Sequence, residues 1–188
     1  MKKGWIVLAA IVALVLIAGG SLVGTWNNLI GLDTQVQAAW SQVENQFQRR
    51  ADLIPNLMET VKGLAAQERG IIEAIANARA RIQGARDPQS RITAENELSS
   101  ALSRLLVIVE NYPTIKSDQG FLRLMDELSG TENRLAVERK RYNDAIQVYN
   151  LAVRQFPSNF VASIGGFQQK AFFEAPAEAR KAPQVKFQ

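Results

Sequence analysis

Two rows of mostly apolar side chains, each repeating every seven residues, run in constant phase from Trp26 to Gln83, and no other feature restricts the fold as much. One row is Leu29, Val36, Val43, Arg50, Leu57, Leu64, Ile71 and Ala78; the other is Trp40, Phe47, Ile54, Val61, Glu68, Ile75 and Ile82. Rows offset by three and four residues share one helix face, and repetition every seven keeps that face a nearly straight seam, which no strand can produce. The reading is one helix about 85 Å long. Pro55 deletes a backbone hydrogen bond and crowds the carbonyl of Ala51, but the rows hold phase through it, so the sequence predicts a kink rather than a break. A seam of this length needs several other segments, or other copies of the chain, to cover it.

Gly84 and then Asp87-Pro88 supply a helix stop followed by an N-cap with proline at the first helical position, the clearest turn in the chain. A second helix follows from about Pro88 to Asn111, with Ile92, Leu98, Leu102, Leu105, Leu106 and Val109 as its apolar side. Tyr112-Pro113 ends it, and Thr114 to Ser117 reads as an extended connector. Ser117 or Asp118 caps a third helix lasting to Phe156, whose seam is Phe121, Met125, Leu128, Leu135, Tyr142, Ile146, Tyr149, Val153 and Phe156. After Pro157, the stretch Ser158 to Ile164 suits a short helix before Gly165-Gly166. The tail is rich in aromatics, including Phe172 and Phe173, and ends in an extended segment from Lys181 to Gln188 that alternates Val185 and Phe187.

Ahead of the seam, Gly4 to Gly24 carries no charge. Its length as a helix, roughly 31 Å, matches a hydrocarbon core, and Trp5 and Trp26 stand at its two ends where indoles favour the membrane interface. It is read as a single-pass anchor in contact with membrane lipid. A cleaved signal peptide is the competing reading, with Ala18 and Gly20 as small residues before Ser21. Lys2 and Lys3 precede the span and the next basic residue is Arg49, which puts the amino terminus in the cytoplasm and the body outside it at the bacterial inner membrane; the alternative is a cytoplasmic body.

The residue inventory closes off several chemistries. The chain has no histidine and no cysteine, which excludes His acid–base work, thiol nucleophiles, disulfides and the usual zinc sites. No clustered acidic spacing suggests a hard cation, and no arginine–aromatic array suggests nucleic acid despite a net charge of +4. No metal, cofactor or catalytic residue is expected.

Assembled, these elements predict an all-α fold: an elongated antiparallel helical bundle of long helices, up-down-up with a C-terminal fourth element, on a single N-terminal transmembrane helix. The domain boundaries would be 1–25 for the anchor, 26–157 for the bundle and 158–188 for the aromatic-rich tail. The run AWSQVENQFQRRADLIPNLMETVKG from Ala39 to Gly63, with its RRxDLIPNLxxxVK core at Arg49 to Lys62, resembles the hallmark of the LemA family. Glu68, Ala78-Arg79, Glu110 to Pro113, Thr131-Glu132-Asn133, Arg139, Tyr142-Asn143, Tyr149-Asn150 and Phe156-Pro157 extend the resemblance in order, with Ala51 departing where an aromatic is common. The resemblance implies a membrane-tethered antiparallel helical bundle in bacteria and no catalytic motif.

Four charges interrupt the seams: Arg50, Glu68, Glu132 and Arg139. Buried charges need partners, so structural pairing is the first reading, beside a proton-transfer or anion site and simple exposure. The predicted register brings Arg139 level with Glu68. The hairpin arginines Arg79, Arg81, Arg86 and Arg91 face only Asp87 as nearby counter-charge, giving a solvated tip or a contact with an anionic lipid or acidic partner. Because helices two and three leave the membrane-proximal part of helix one uncovered, Leu29, Val36, Trp40 and Val43 would form an exposed stripe. With Phe172 and Phe173 these are the candidate self-association residues of a homo-oligomer. Function then reads as a non-enzymatic membrane scaffold that self-associates laterally, the alternative being an envelope adaptor or sensor that binds another envelope protein.

Overall fold

The computed structural model describes residues 2–64 and 67–173, apart from the side chains of Lys2, Lys3 and Val7. Among the described residues every regular element is helical: α1 (Lys2–Thr60), a 3-10 turn (Lys62–Leu64), α2 (Arg69–Gly84), α3 (Pro88–Val109), α4 (Pro113–Lys116), α5 (Gln119–Arg154) and α6 (Ser158–Gly165). The fold is all-α, as the hydrophobic period requires. Val185, Phe187 and the rest of the Lys181 to Gln188 segment lie outside the described residues.

Helix α1 passes through Pro55 without interruption and stops at Thr60, so the single helix expected to reach Gln83 is corrected to two. Beyond it the backbone tightens through Leu64 N to Val61 O (2.8 Å) and Gln67 N to Leu64 O (3.1 Å). Gly63 in this stretch lowers helix propensity by about 1 kcal/mol relative to alanine. The chain then reverses. Arg79 Nε donates to Ala51 O at 3.0 Å across 28 residues, a separation that would be about 42 Å along one straight helix. The seven-residue phase survives because Val61 and Leu64 stay buried inside the reversal. It records which residues face inward, and it is silent on whether the axis continues.

Asp87 caps α3, its Oδ1 accepting from Ser90 N at 2.9 Å, with Pro88 in the first turn. Tyr112 is not followed by an extended connector; Pro113 opens the helical turn α4 instead, since a proline at the first helical position lacks only an amide that would be unpaired there anyway. Asp118 Oδ1 accepts from Phe121 N at 2.9 Å and starts α5.

Packing divides the chain into two units. One comprises Met1–Ser41 with Lys140–Phe172, and the other Gln42–Arg139 with Phe173–Gln188, of which Phe173 is the last described residue. The division follows contacts rather than chain order, cutting both long helices.

In the Gln42–Arg139 unit, Arg91 reaches Glu44 and Glu95 reaches Arg50, so α3 runs parallel to α1. Helix α5 runs against them, with Glu132 at Arg50, and Arg139 and Phe47 both at Phe173. With α2 returning along α1, four helices alternate up-down-up-down, and α5 takes the place expected of the tail. Leu106, expected on the apolar side of α3, is exposed, whereas Ala94 and Ala101 are buried.

In the Met1–Ser41 unit, Leu29 and Val36 of α1 are buried together with Tyr142, Ile146, Tyr149 and Val153 of α5 and Val161 and Ala162 of α6. Trp40 packs on Tyr142 at 5.2 Å. The expected exposed stalk is therefore corrected. Because α1 ends at Thr60, α5 lies lower along it than the continuous-helix register allowed and covers these positions. Asn150 clamps the chain after α6: its Nδ2 donates to Lys170 O and its Oδ1 accepts from Lys170 N, both at 2.8 Å. Lys170 Nζ pairs with Asp33 at 2.7 Å. Phe156 is exposed rather than on the α5 seam, because the helix ends at Arg154 before its turn is complete.

The part of α1 beginning at Gly4 contains an 18-residue window of mean hydropathy 2.8, none of it buried. It is long and apolar enough to cross a membrane.

Candidate functional site

The most unusual chemistry in the fold is a charge cluster inside the Gln42–Arg139 unit. It is assembled because α1, α3 and α5 each place a charged residue on an otherwise apolar seam at one level. Arg50 Nη1 donates to Glu95 Oε1 at 2.5 Å, to Ser99 Oγ at 3.0 Å and to Glu132 Oε2. Arg139 Nη1 donates to Glu132 Oε1 at 3.4 Å, and its guanidinium carbon lies 4.6 Å from the centroid of the Phe173 ring, within cation–π reach. Glu132 thus bridges two arginines.

Glu95 is 0% exposed. Its Oε1 holds Arg50, while its Oε2 has no hydrogen-bond partner among the described residues. Burial pushes its carboxyl up from 4.5 to about 7; the Arg50 charge opposes that shift, Glu132 adds to it, and Arg139 opposes it. One guanidinium hydrogen bond is too little to offset the lost hydration of a carboxylate. Burial likewise pulls Arg139 below the usual guanidinium value, against the Glu132 and Glu95 charges. The cluster can therefore take up a proton close to neutrality. It opens on a groove of about 440 Å³ lined by Arg50, Ser99, Ser103, Ser129, Glu132 and Asn133 among others.

Of the charges singled out in the sequence, Arg50, Glu132 and Arg139 converge here and Glu68 does not. The pairing of Glu68 with Arg139 is corrected: Glu68 Oε1 accepts from Tyr112 Oη at 3.4 Å, because the reversal after Thr60 removes the register that levelled it with Arg139. Glu95 was not singled out, although the signal was present: it stands seven residues before Leu102 and fourteen before Val109, a charge on a seam row just as Arg50 is.

The hairpin arginines are mostly engaged within the chain. Arg79 holds the Ala51 carbonyl, Arg81 Nη1 reaches both oxygens of Glu97 at 2.8 Å, and Arg91 pairs with Glu44 at 2.7 Å; Arg86 is exposed. Asp87 is therefore not their only counter-charge. Among the candidate self-association residues, Leu29, Val36, Val43 and Phe173 are buried in their own chain and Trp40 is half-buried, leaving Phe172 exposed. The exposed stripe is corrected with the stalk. Among the described residues no three acidic side chains converge as a metal site.

A family model described as LemA family matches residues 39–187. The chain belongs to the LemA family. The match takes in every residue of the charge cluster and the Arg49–Lys62 core. The LemA chain is also 28% identical to Magnetosome protein MamQ 2 of Paramagnetospirillum magneticum, over 84% of this chain and 68% of that protein. Magnetosome protein MamQ of Magnetospirillum gryphiswaldense gives the same identity and the same coverage. LemA membership and the apolar start of α1 together describe a membrane-associated helical protein.

Proposed function

We propose that the chain is a non-enzymatic, membrane-anchored helical scaffold whose body is built directly on its anchor. The observation that carries this reading is the continuity of α1: the uncharged run Gly4–Gly24 passes with no linker into Leu29 and Val36, which are core residues of the same unit. A span that is one helix with packed core positions holds its body at a set height and angle, as a flexible linker would not. The chemistry agrees. The most perturbed carboxyl group, Glu95, is engaged with Arg50, and the sequence supplies no imidazole or thiol to work with it.

Lateral self-association belongs to this reading on a changed basis. With Leu29, Val36 and Val43 enclosed in their own chain, contacts between copies fall to the lipid-facing run Gly4–Gly24 and to exposed positions such as Phe172. Lys2 and Lys3 before the run, with Arg49 the next basic residue, favour a cytoplasmic amino terminus and an outside body. Native mass measurement of the full chain in mild detergent tests the scaffold: a homo-oligomer is expected, and a monomer at every protein concentration overturns self-association. Protease outside spheroplasts should digest the body.

The adaptor or sensor reading is favoured by one arrangement: Arg50 lines an open groove and hydrogen-bonds the buried Glu95, whose carboxyl burial pushes up to about 7. A monomer that co-purifies with another envelope protein in a pH-dependent manner would move the assignment to it.

A further inference from the structure

The membrane-proximal unit brings two uncharged stretches together from distant parts of the chain. Residues 4–32 carry no charge, and neither do the fifteen residues between Arg154 and Lys170. Both stretches end at one place, where Lys170 Nζ meets Asp33 at 2.7 Å. On the apolar side of that ion pair, α6 docks against the end of the membrane-length run. Leu22, Val23 and Trp26 of α1 and Val161 and Ile164 of α6 line a nearly wholly apolar cavity of about 280 Å³.

The docking is close. A Cβ on Gly165 would meet Trp26 Cζ3 and Phe167 Cε2 at 2.7 Å each, so glycine lets the end of α6 sit directly against the indole. Trp26 and Phe167 pack edge to face at 5.5 Å. The outward side of this segment is apolar as well. Phe156, Phe160 and Ile164 succeed one another at four-residue spacing and are 74%, 63% and 83% exposed, with the first two rings in edge contact at 6.2 Å.

We propose that α6 with Phe156 is a second membrane-contacting element, which inserts Phe156, Phe160 and Ile164 among lipid acyl chains at the interface beside α1. The occupant is lipid because the stripe joins, through Ile164, the end of the uncharged run of α1, a surface already suited to hydrocarbon, and because Trp26 stands at the height where indoles favour the interface. A short uncharged helix with aromatic side chains lies in this layer at little cost, its apolar area leaving water and its polar backbone reaching headgroups. The Asp33–Lys170 pair then marks the first fully aqueous level. The inference rests on α1 crossing the membrane.

The chain has no cysteine, so single-cysteine variants of the full-length protein can carry one nitroxide each. Val12→Cys, Phe160→Cys, Ile164→Cys and Val148→Cys would be reconstituted in phosphatidylcholine–phosphatidylglycerol vesicles, and collisions with oxygen compared with those of a water-soluble nickel chelate. Labels at 160 and 164 are expected to resemble the label at 12, rich in oxygen and shielded from nickel; exposed position 148 should show the reverse. Nickel accessibility at 160 and 164 matching that at 148, with 12 still shielded, overturns the proposal alone. Nickel access at 12 overturns the spanning reading and this proposal with it. Shielding at 160 and 164 that disappears when the protein is diluted with unlabelled lipid assigns the stripe to a second copy and also overturns it.

Discussion

In the unit built on Gln42–Arg139, α1, α3 and α5 meet through Arg50, Glu95 and Glu132, whereas in the unit that carries the apolar run the same two long helices meet through Trp40 on Tyr142. One interior holds ionised groups that have lost most of their water. The other is closed by rings, by a glycine against an indole, and by an asparagine clamped to backbone amides. A buried charge cluster adds little net stability but penalises any register that separates its members. Aromatic and amide contacts stabilise without responding to pH. The two units should accordingly differ in how they answer a change of pH.

The largest effect expected is a fall in stability of the Gln42–Arg139 unit with rising pH. Below 4.5 the unfolded and folded chains both hold the Glu95 proton; between 4.5 and about 7 only the folded chain holds it. The folded state then binds more protons than the unfolded one. Stability is fully present below 4.5 and is lost as pH rises through about 7, a fall on the order of 3 kcal/mol. Arg50, Glu132 and Arg139 are the charges that face the group. Glu95→Gln should remove the slope. All three tryptophans, Trp5, Trp26 and Trp40, lie in the other unit, so urea unfolding followed by tryptophan fluorescence and by far-ultraviolet circular dichroism separates the two responses. Burial pushes the Tyr142 and Tyr149 phenols in the fluorescent unit up from 10, Asp33 adding to the shift at Tyr149, so both stay neutral through this range. Coincident transitions with one shared pH slope would break the comparison and make the chain a single cooperative block.

Next in size is a packing change in the other unit. Gly165→Ala forces the Trp26 or Phe167 ring to move from a 2.7 Å approach, which should cost about 2 kcal/mol. Unlike the Glu95 effect, this cost should be the same at pH 5 and pH 8. It should appear as a lower midpoint in tryptophan fluorescence, and a pH-dependent cost would show that the ring clamp is coupled to the charges after all.

The sequence made the burial pattern legible to a degree that it did not make the topology. Leu29, Val36, Val43, Phe47, Ile54, Leu57, Ile75 and Ile82 all face inward as the seven-residue rows require, because burial is a local property of phase. The reversal after Thr60 is a property of which surfaces meet, and a pattern that keeps phase through a turn hides it. From that one unmarked turn follow the misplaced level of α5, the false Glu68–Arg139 pair and the imagined bare stalk. Within the candidate site, Arg50, Glu132 and Arg139 are legible as charges on seams, and Glu95 sits on an equally regular row but among the serines and alanines of α3, where a seam is harder to see. Gly165 carried no sequence signal for its role, since the indole it faces is more than a hundred residues away in the chain.

The smallest effect concerns Pro55, and it sharpens the contrast by showing what polar contacts answer to in the charged unit. In an uninterrupted helix the amide of residue 55 would donate to the carbonyl of Ala51; proline has no such hydrogen. Ala51 is buried, so its carbonyl needs another donor, and Arg79 Nε fills that role at 3.0 Å once α2 has folded back. The arginine therefore compensates a defect that a residue twenty-four positions earlier creates. Arg79→Met should cost about 1 kcal/mol by leaving that carbonyl unpaired. In a Pro55→Ala background the restored amide takes the carbonyl, so the same Arg79→Met change should cost close to nothing, and the double-mutant cycle should show a coupling of about 1 kcal/mol. Urea midpoints followed by circular dichroism give all four corners of the cycle. Equal costs of Arg79→Met in the two backgrounds would mean that the guanidinium contributes through packing alone, and that Pro55 is tolerated in α1 for some reason other than the donor brought back by α2.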